Sequence, residues 1–342
     1  MPHLILHIGC PKAGSTSIQL GLNASRHRLA KRGILYPQSC RQNSAHHPLG
    51  YAIQGHTWNL SKSPPLVLDA VFRNLADEIS KSKCDTVVIS SEFFSQFDLS
   101  NHENPVTLRL EKFFSMFKTT KIFCIVRHQV PYFESQYKFK LLWQNPVEVA
   151  GFNEYAHRLL PSPQYDFLNI ERYFRSFSHN LHFQFLGFFN AIRSGNLVQF
   201  VFERFGIADA YRGEMRANES CSRLAALALL KRNRKKSFTD LDRLLFIKWI
   251  QRTHPDQRQS LYEPALLQAV AAKFQQSNEQ IENRFGICLN RELDEYQRKY
   301  KMCGETLSND ELRQLCSAFA QRLQHPLIGR CQDSLHYWAS RR

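Results

Sequence analysis

Residues 9–17, GCPKAGSTS, bring together the groups that proteins use to bind a phosphate or a similar anion. Gly9 and Gly14 have the spacing of the two glycines in a phosphate-binding loop. In nucleoside triphosphatases a lysine follows the second glycine, whereas here Ser15 follows Gly14 and Lys12 lies inside the loop. The candidate anion-binding residues are Pro11, Lys12, Ala13, Gly14, Ser15, Thr16 and Ser17.

The sequence lacks the acidic residue that would hold magnesium beside such a loop. The strand pattern DTVVIS, residues 85–90, is followed by Ser91 and Glu92 rather than ending in an aspartate. An internal lysine without a metal carboxylate favours an anion other than a magnesium-bound triphosphate. An ordinary turn between a strand and a helix is the alternative for the loop.

A second anion-binding position is predicted from CIVRHQVPYFESQY. Arg127 follows a buried strand pattern, where a guanidinium needs a counter-charge, and Ser135 lies early in the next helical pattern. An arginine and a hydroxyl near a helix start suit a phosphate monoester. The alternative is that Arg127 pairs with a structural carboxylate.

The elements around these residues alternate between strands and helices, which predicts an α/β fold with a parallel sheet flanked by helices. Ligands of such sheets bind beyond the carboxyl ends of the strands, where Lys12, Glu92 and Arg127 are all expected. We predict an α/β core over 1–235, with an irregular acceptor-side segment at 36–65, and a helical C-terminal part over 236–342.

Composition limits the choice of partners. The chain has 342 residues and a formal net charge of +15, which favours anionic partners and is compatible with peripheral contact with an anionic membrane surface. No usual nucleic-acid-binding module is present, so nucleic acid is not the expected partner. The nine cysteines have no zinc-site spacing, and with no secretory signal or membrane-length apolar run we expect a cytoplasmic protein.

Taken together, these motifs resemble the sulfotransferases that use 3′-phosphoadenosine 5′-phosphosulfate (PAPS), in particular the bacterial branch that acts on carbohydrates. The resemblance is carried by HIGCPKAGSTSIQ, SSE and IVRHQVPYFESQY, and less specifically by GILYP and NESCS. The family loop is P-K-[ST]-G-[ST]-[ST], from which Ala13 departs, and the family's 3′-phosphate motif has an arginine and a serine eight residues apart, as Arg127 and Ser135 are. The likeness weakens after about residue 140.

The resemblance implies a P-loop-type fold, PAPS as the sulfuryl donor with no required metal, and a hydroxyl or amine of a glycan or glycolipid as the acceptor. It implies that Lys12 stabilises the leaving phosphate and that Glu92 is the general base. The histidines His46, His47, His56 and His128 are rival bases. Two other functions stay open: a P-loop nucleotide kinase-like enzyme, and a non-catalytic anion- or nucleic-acid-binding protein with a degenerate loop.

Overall fold

The computed structural model describes residues 1–55, 68–97, 105–143, 148–177, 180–211, 221–234, 249 and 258–305. The strands are β1 (His3–His7), β2 (Ile34–Leu35), β3 (Thr86–Ser90), β4 (Thr119–Val126), β5 (Leu181–Gly187), β6 (Gln259–Ser260) and β7 (Lys301–Met302). The helices are α1 (Ser15–Ala30), α2 (His47–Gln54), α3 (Leu68–Ser82), α4 (Pro105–Phe114), α5 (Gln129–Trp143), α6 (Phe152–Leu159), α7 (Phe167–Arg175), α8 (Phe188–Arg193), α9 (Leu197–Arg204), α10 (Arg223–Arg234), α11 (Pro264–Phe285) and α12 (Leu289–Lys299). Short 3₁₀ helices occupy Glu92–Ser95, Pro163–Tyr165 and Ala208–Ala210.

Five parallel strands form the main sheet in the order β2-β3-β1-β4-β5. In the register, His7 lies opposite Ser90 of β3 and Phe123 of β4. The strands are buried and apolar because helices cover the sheet, as parallel sheets require. The predicted α/β class with a flanked parallel sheet is therefore confirmed, and the connection after β1 lies at the carboxyl edge of the sheet.

Residue contacts divide the chain into two compact units. The first contains 1–132, 161–218 and 272–293, and therefore all five strands of the main sheet. The second contains 133–160, 219–271 and 294–342, whose described part is mostly helical with the small β6–β7 sheet. The predicted boundary between residues 235 and 236 lies outside the described residues, as do 236–248, 250–257 and 306–342 of the predicted helical C-terminal part.

Helix α1 is fixed against α9 at two glycines. Gly14, just before α1, has a φ of 82°, and a Cβ there would lie 2.1 Å from Leu197 Cδ2. A Cβ on Gly21 would lie 2.6 Å from Val198 Cγ1. Only glycine satisfies both the left-handed backbone and the close approach at Gly14, so the start of α1 is held in one place by its packing.

The segment predicted to be irregular contains a helix. Within 36–65, the residues His47–Gln54 form α2, which buries Leu49 and Ile53, while 56–65 lies outside the described residues. Pro48 in the first turn and the left-handed Gly55 after the last turn are ordinary helix start and stop signals. The polar composition of the segment hid this short amphipathic pattern.

Patterns in the sequence predict helices that the structure confirms: α1, α3, α4, α5, α7, α9 and α10 within 1–235, and α11 within the C-terminal part. Over the residues given above, no helix combines the length and the hydropathy needed to cross a membrane.

Three histidines of the first unit are buried inside the fold: His7, His46 and His128. Burial lowers the pKa of each to about 3, because removal from water penalises the imidazolium form. His46 accepts a hydrogen bond from Ser90 N–H at Nδ1, and its Nε2 lies 3.1 Å from the Pro37 carbonyl oxygen. These side chains are therefore neutral parts of the core at pH 7.

Acidification should destabilise the first unit before its carboxylates titrate. A histidine with a lowered folded-state pKa contributes stability above its unfolded pKa of about 6.5, and that stability is lost as the pH falls toward the folded value. Each histidine should contribute a loss of about 1.4 kcal/mol per pH unit below pH 6. Chemical denaturation at pH 7, 6 and 5 measures how the free energy of unfolding changes with pH. His46→Gln should reduce this slope by about 1.4 kcal/mol per pH unit, the contribution of one histidine. Equal slopes for the two proteins would contradict the assignment.

Candidate functional site

The loop between β1 and α1 has a strained backbone at its lysine. Lys12 has a φ of 65°, a left-handed conformation that is unfavourable for a residue with a side chain. The turn is closed by Ala13 N–H, which donates to the Cys10 carbonyl oxygen at 3.2 Å. Cys10 N–H in turn donates to the Ile125 carbonyl oxygen at 2.8 Å, so the loop is attached to β4. Strain at a well-determined position is a feature of functional loops.

Two buried polar atoms face the same point beside Gly9. A Cβ on Gly9 would lie 2.8 Å from Ser15 Oγ and 2.9 Å from His7 Nε2. Neither atom has a hydrogen-bond partner within the described residues. The other ring nitrogen, His7 Nδ1, lies 2.7 Å from Ser90 Oγ, so the ring orientation is fixed. Unpaired buried polar groups are costly, and a polar atom placed between the two would offset part of that cost.

The start of α1 adds backbone donors to the same position. The first N–H groups of a helix have no carbonyl partner within it, and the helix dipole favours an anion there. Gly14 precedes the helix without a side-chain cap, so the amides of Ser15 and Thr16 face the loop uncapped. Thr16 is exposed, whereas Ala13, Ser15 and Ser17 are buried. The loop therefore offers amides and hydroxyls of the kind that bind phosphate or sulfate.

Glu92 follows β3 at the same edge of the sheet as this loop, and its side chain is held by a hydrogen bond from α1. Gln19 Nε2, from α1, donates to Glu92 Oε2 at 2.9 Å. His47 Nε2, at the start of α2, lies 3.9 Å from Glu92 Oε1. Ser95, at the other end of the same 3₁₀ helix, donates to the Gly9 carbonyl oxygen at 3.1 Å. Ser91 caps the 3₁₀ helix that begins at Glu92, because its Oγ accepts from Phe93 N–H at 3.3 Å.

Of the three candidate histidine bases within the described residues, only His47 lies beside Glu92. Its Nδ1 lies 3.0 Å from Ser91 Oγ and its ring packs edge-on against Phe93. Burial lowers the pKa of His47, although the Glu92 charge acts in the opposite direction, so the ring is neutral at pH 7. His46 and His128 are core residues, and His56 lies outside the described residues.

Arg127 has the carboxylate partner that was the sequence-based alternative. Arg127 Nε donates to Glu292 Oε1 at 3.0 Å, and its guanidinium lies 5.2 Å from the centre of the Phe188 ring. Glu292 also accepts from His128 N–H at 2.8 Å. Burial raises the pKa of Glu292, while Arg127 and the His128 N–H oppose the shift. Within the described residues, the terminal NH₂ groups of Arg127 have no hydrogen-bond acceptor, so they can bind a further anion.

The remaining site residues predicted from the sequence are Pro11 and Ser135. Pro11 is half-buried in the loop, and Ser135 is buried in the second turn of α5, within the second unit. Sequence reasoning missed His7, Gln19 and Glu292. A histidine in an apolar strand carries a weak signal, and the partners Gln19–Glu92 and Arg127–Glu292 are 73 and 165 residues apart.

No protein-family model, curated protein or solved structure matches this chain. Over the described residues, no group of three or more His, Cys, Asp or Glu side chains is arranged to hold a metal ion.

The strain at Lys12 predicts an unusual ranking of variants. Lys12→Gly and Lys12→Ala both remove the side chain, but only glycine accepts a φ of 65° without cost. We expect Lys12→Gly to be more stable than Lys12→Ala by about 1 kcal/mol. Urea denaturation measures the difference. A more stable alanine variant would show that the loop does not hold this backbone conformation in solution.

Proposed function

We propose that this protein is a PAPS-dependent sulfotransferase with a P-loop-type nucleotide site, and that it transfers a sulfuryl group to a hydroxyl or amine of a glycan or glycolipid. The observation that carries the proposal is the pair of partnerless buried atoms, His7 Nε2 and Ser15 Oγ, at the glycine of a loop that ends in a helix start. This arrangement fits a terminal phosphate or sulfate oxygen.

The loop residues would hold the phosphosulfate end of the donor. The amides at the start of α1 and the Ser15 hydroxyl donate to its oxygens, and Lys12 contributes a positive charge from the strained turn. As the bond between sulfur and the bridging phosphate oxygen breaks, negative charge develops on that oxygen. Lys12 and the amides stabilise this charge, and each preorganised donor of this kind contributes about 10²–10³ in rate.

Glu92 and His47 would act at the attacking end. The acceptor hydroxyl forms the new oxygen–sulfur bond and gives its proton to the Glu92 carboxylate. Gln19 fixes the other carboxylate oxygen, which leaves Oε1, on the His47 side, as the atom that takes the proton. Because His47 is neutral at pH 7 and its Nε2 lies 3.9 Å from Glu92 Oε1, it does not form an ion pair with Glu92.

Arg127 would bind the 3′-phosphate through its terminal NH₂ groups, while Glu292 holds its Nε. A guanidinium fixed in this way is preorganised, so little side-chain entropy is lost when a phosphate binds.

Nucleotide choice tests the proposal. The product 3′-phosphoadenosine 5′-phosphate (PAP) should bind much more tightly than 5′-AMP or ATP with magnesium, because only PAP offers a phosphate to both sites. The preference should be lost in the Arg127→Met/Glu292→Gln double variant, which removes the guanidinium without leaving a buried carboxylate unpaired. Isothermal titration calorimetry gives the affinities.

The single variant Glu292→Gln is the matched control, since it keeps the guanidinium and should keep the preference for PAP. Equal affinity of the parent for PAP and 5′-AMP would rule out the 3′-phosphate assignment. Tight binding of ATP only with magnesium would favour a kinase.

Removal of the base should slow transfer without weakening donor binding. Glu92→Gln keeps the size of the side chain but cannot accept a proton, so turnover should fall by about 10²–10⁴, while PAP affinity changes little. His47→Gln should lower turnover less, because Glu92 remains. Steady-state kinetics and PAP titration on both variants provide the measurement. If His47→Gln is the more damaging change, His47 is the base and Glu92 orients it.

A further inference from the structure

The face of α1 that carries Gln19 continues to a pair of arginines. Gln19, Asn23 and Arg26 lie four and then three residues apart, so they share one side of the helix. Two helical turns separate Gln19 from Arg26, a rise of about 10 Å. Because Gln19 donates to Glu92, this face leads directly away from the proposed base.

Arg26 and Arg41 meet at a single residue, Asn23. Arg41 Nη1 donates to Asn23 Oδ1 at 2.6 Å, and Arg26 Nη1 donates to the Asn23 carbonyl oxygen at 3.2 Å. The Arg41 guanidinium lies 5.5 Å from the centre of the Tyr36 ring, and the Tyr36 hydroxyl donates to the Ser44 carbonyl oxygen. Two like charges are therefore held close together by fixed contacts.

Neither arginine forms an ion pair with an acidic side chain in the part of the chain that the structure describes. The Glu78 charge raises the pKa of Arg41, but the Glu78 carboxylate accepts hydrogen bonds from the amides of Gln38 and Ser39 instead of forming an ion pair with Arg41. The Arg26 Nε atom is buried and has no hydrogen-bond partner there. Burial lowers the pKa of Arg41, and the charge of Arg26 lowers it further.

Two partly buried guanidinium groups without a carboxylate are costly, and an added anion would remove most of that cost. We propose that Arg26 and Arg41 bind an anionic group of the acceptor, a carboxylate or a sulfate, about two helical turns from the hydroxyl that is sulfated. The acceptor is then an acidic glycan whose charged group lies on a neighbouring sugar unit. The assignment of this anion to the acceptor rests on the proposed function.

Binding of small sugar acids tests the site without a transfer assay. The probes are D-glucuronate and glucose 6-sulfate, with glucose as the neutral control, titrated at constant ionic strength and followed by the denaturation midpoint. At least one of the two acids should raise the denaturation midpoint of the parent protein, depending on which anion the site prefers. Glucose should not change it. Arg26→Gln/Arg41→Gln should reduce the affinity at least ten-fold, and Arg41→Gln alone serves if the double variant does not fold.

Two controls separate this site from the loop and from general charge. Arg28→Gln removes a charge from the same helix, where Arg28 Nε donates to the Ala210 carbonyl oxygen, and should leave the sugar-acid affinity unchanged. Lys12→Gly should also leave it unchanged, and saturating PAP should not displace the sugar acid. No response in the parent, an unchanged response in the double variant, or displacement by PAP would overturn the proposal. These titrations measure sugar-acid binding and not turnover. A failure of the sulfotransferase assignment would appear in PAP binding and turnover, whereas a failure of this site would appear only in sugar-acid binding.

Discussion

The parallel pairing of β1 with β3 on one side and with β4 on the other is the constraint on which the site depends. His7 lies opposite Ser90 and Phe123, so the residues that follow these strands meet at one edge of the sheet. The loop after β1 thereby lies next to Glu92, and Ser95 and Cys10 bond the loop to the segments on either side. A one-residue slip of β1 would turn His7 away from Ser90 and remove the orientation of its ring.

The charges at this edge account for the anionic ligand that we propose. Burial keeps His7 and His47 neutral, so the positive charge comes from Lys12 in the loop, Arg127 after β4, and Arg26 with Arg41 beside α1. Glu292 opposes Arg127 in a direct contact, and Glu92 and Glu292 each accept a hydrogen bond from a neighbouring side chain. A ligand with several separated anionic groups would complete the charge balance, which accords with the formal net charge of +15.

The strands and most helices of the first unit could be predicted because buried apolar runs and helix start signals are local. The loop was also readable, since Gly9, Lys12 and Gly14 lie within six residues of each other. The contacts that orient the site could not be predicted from the sequence. Gln19 reaches Glu92 and Glu292 reaches Arg127 only through tertiary structure, and α2, which places His47, was hidden by the polar composition of its segment.

A crystal structure of the protein with PAP bound tests the central claim most directly. The account predicts density for the 5′-phosphate within the β1–α1 loop, in contact with Ser15 and the first amides of α1, and for the 3′-phosphate on the terminal NH₂ groups of Arg127. Glu92 and its hydrogen bond to Gln19 should be unchanged. Nucleotide bound elsewhere, or an empty loop at saturating PAP, would contradict the assignment of this loop as the donor site.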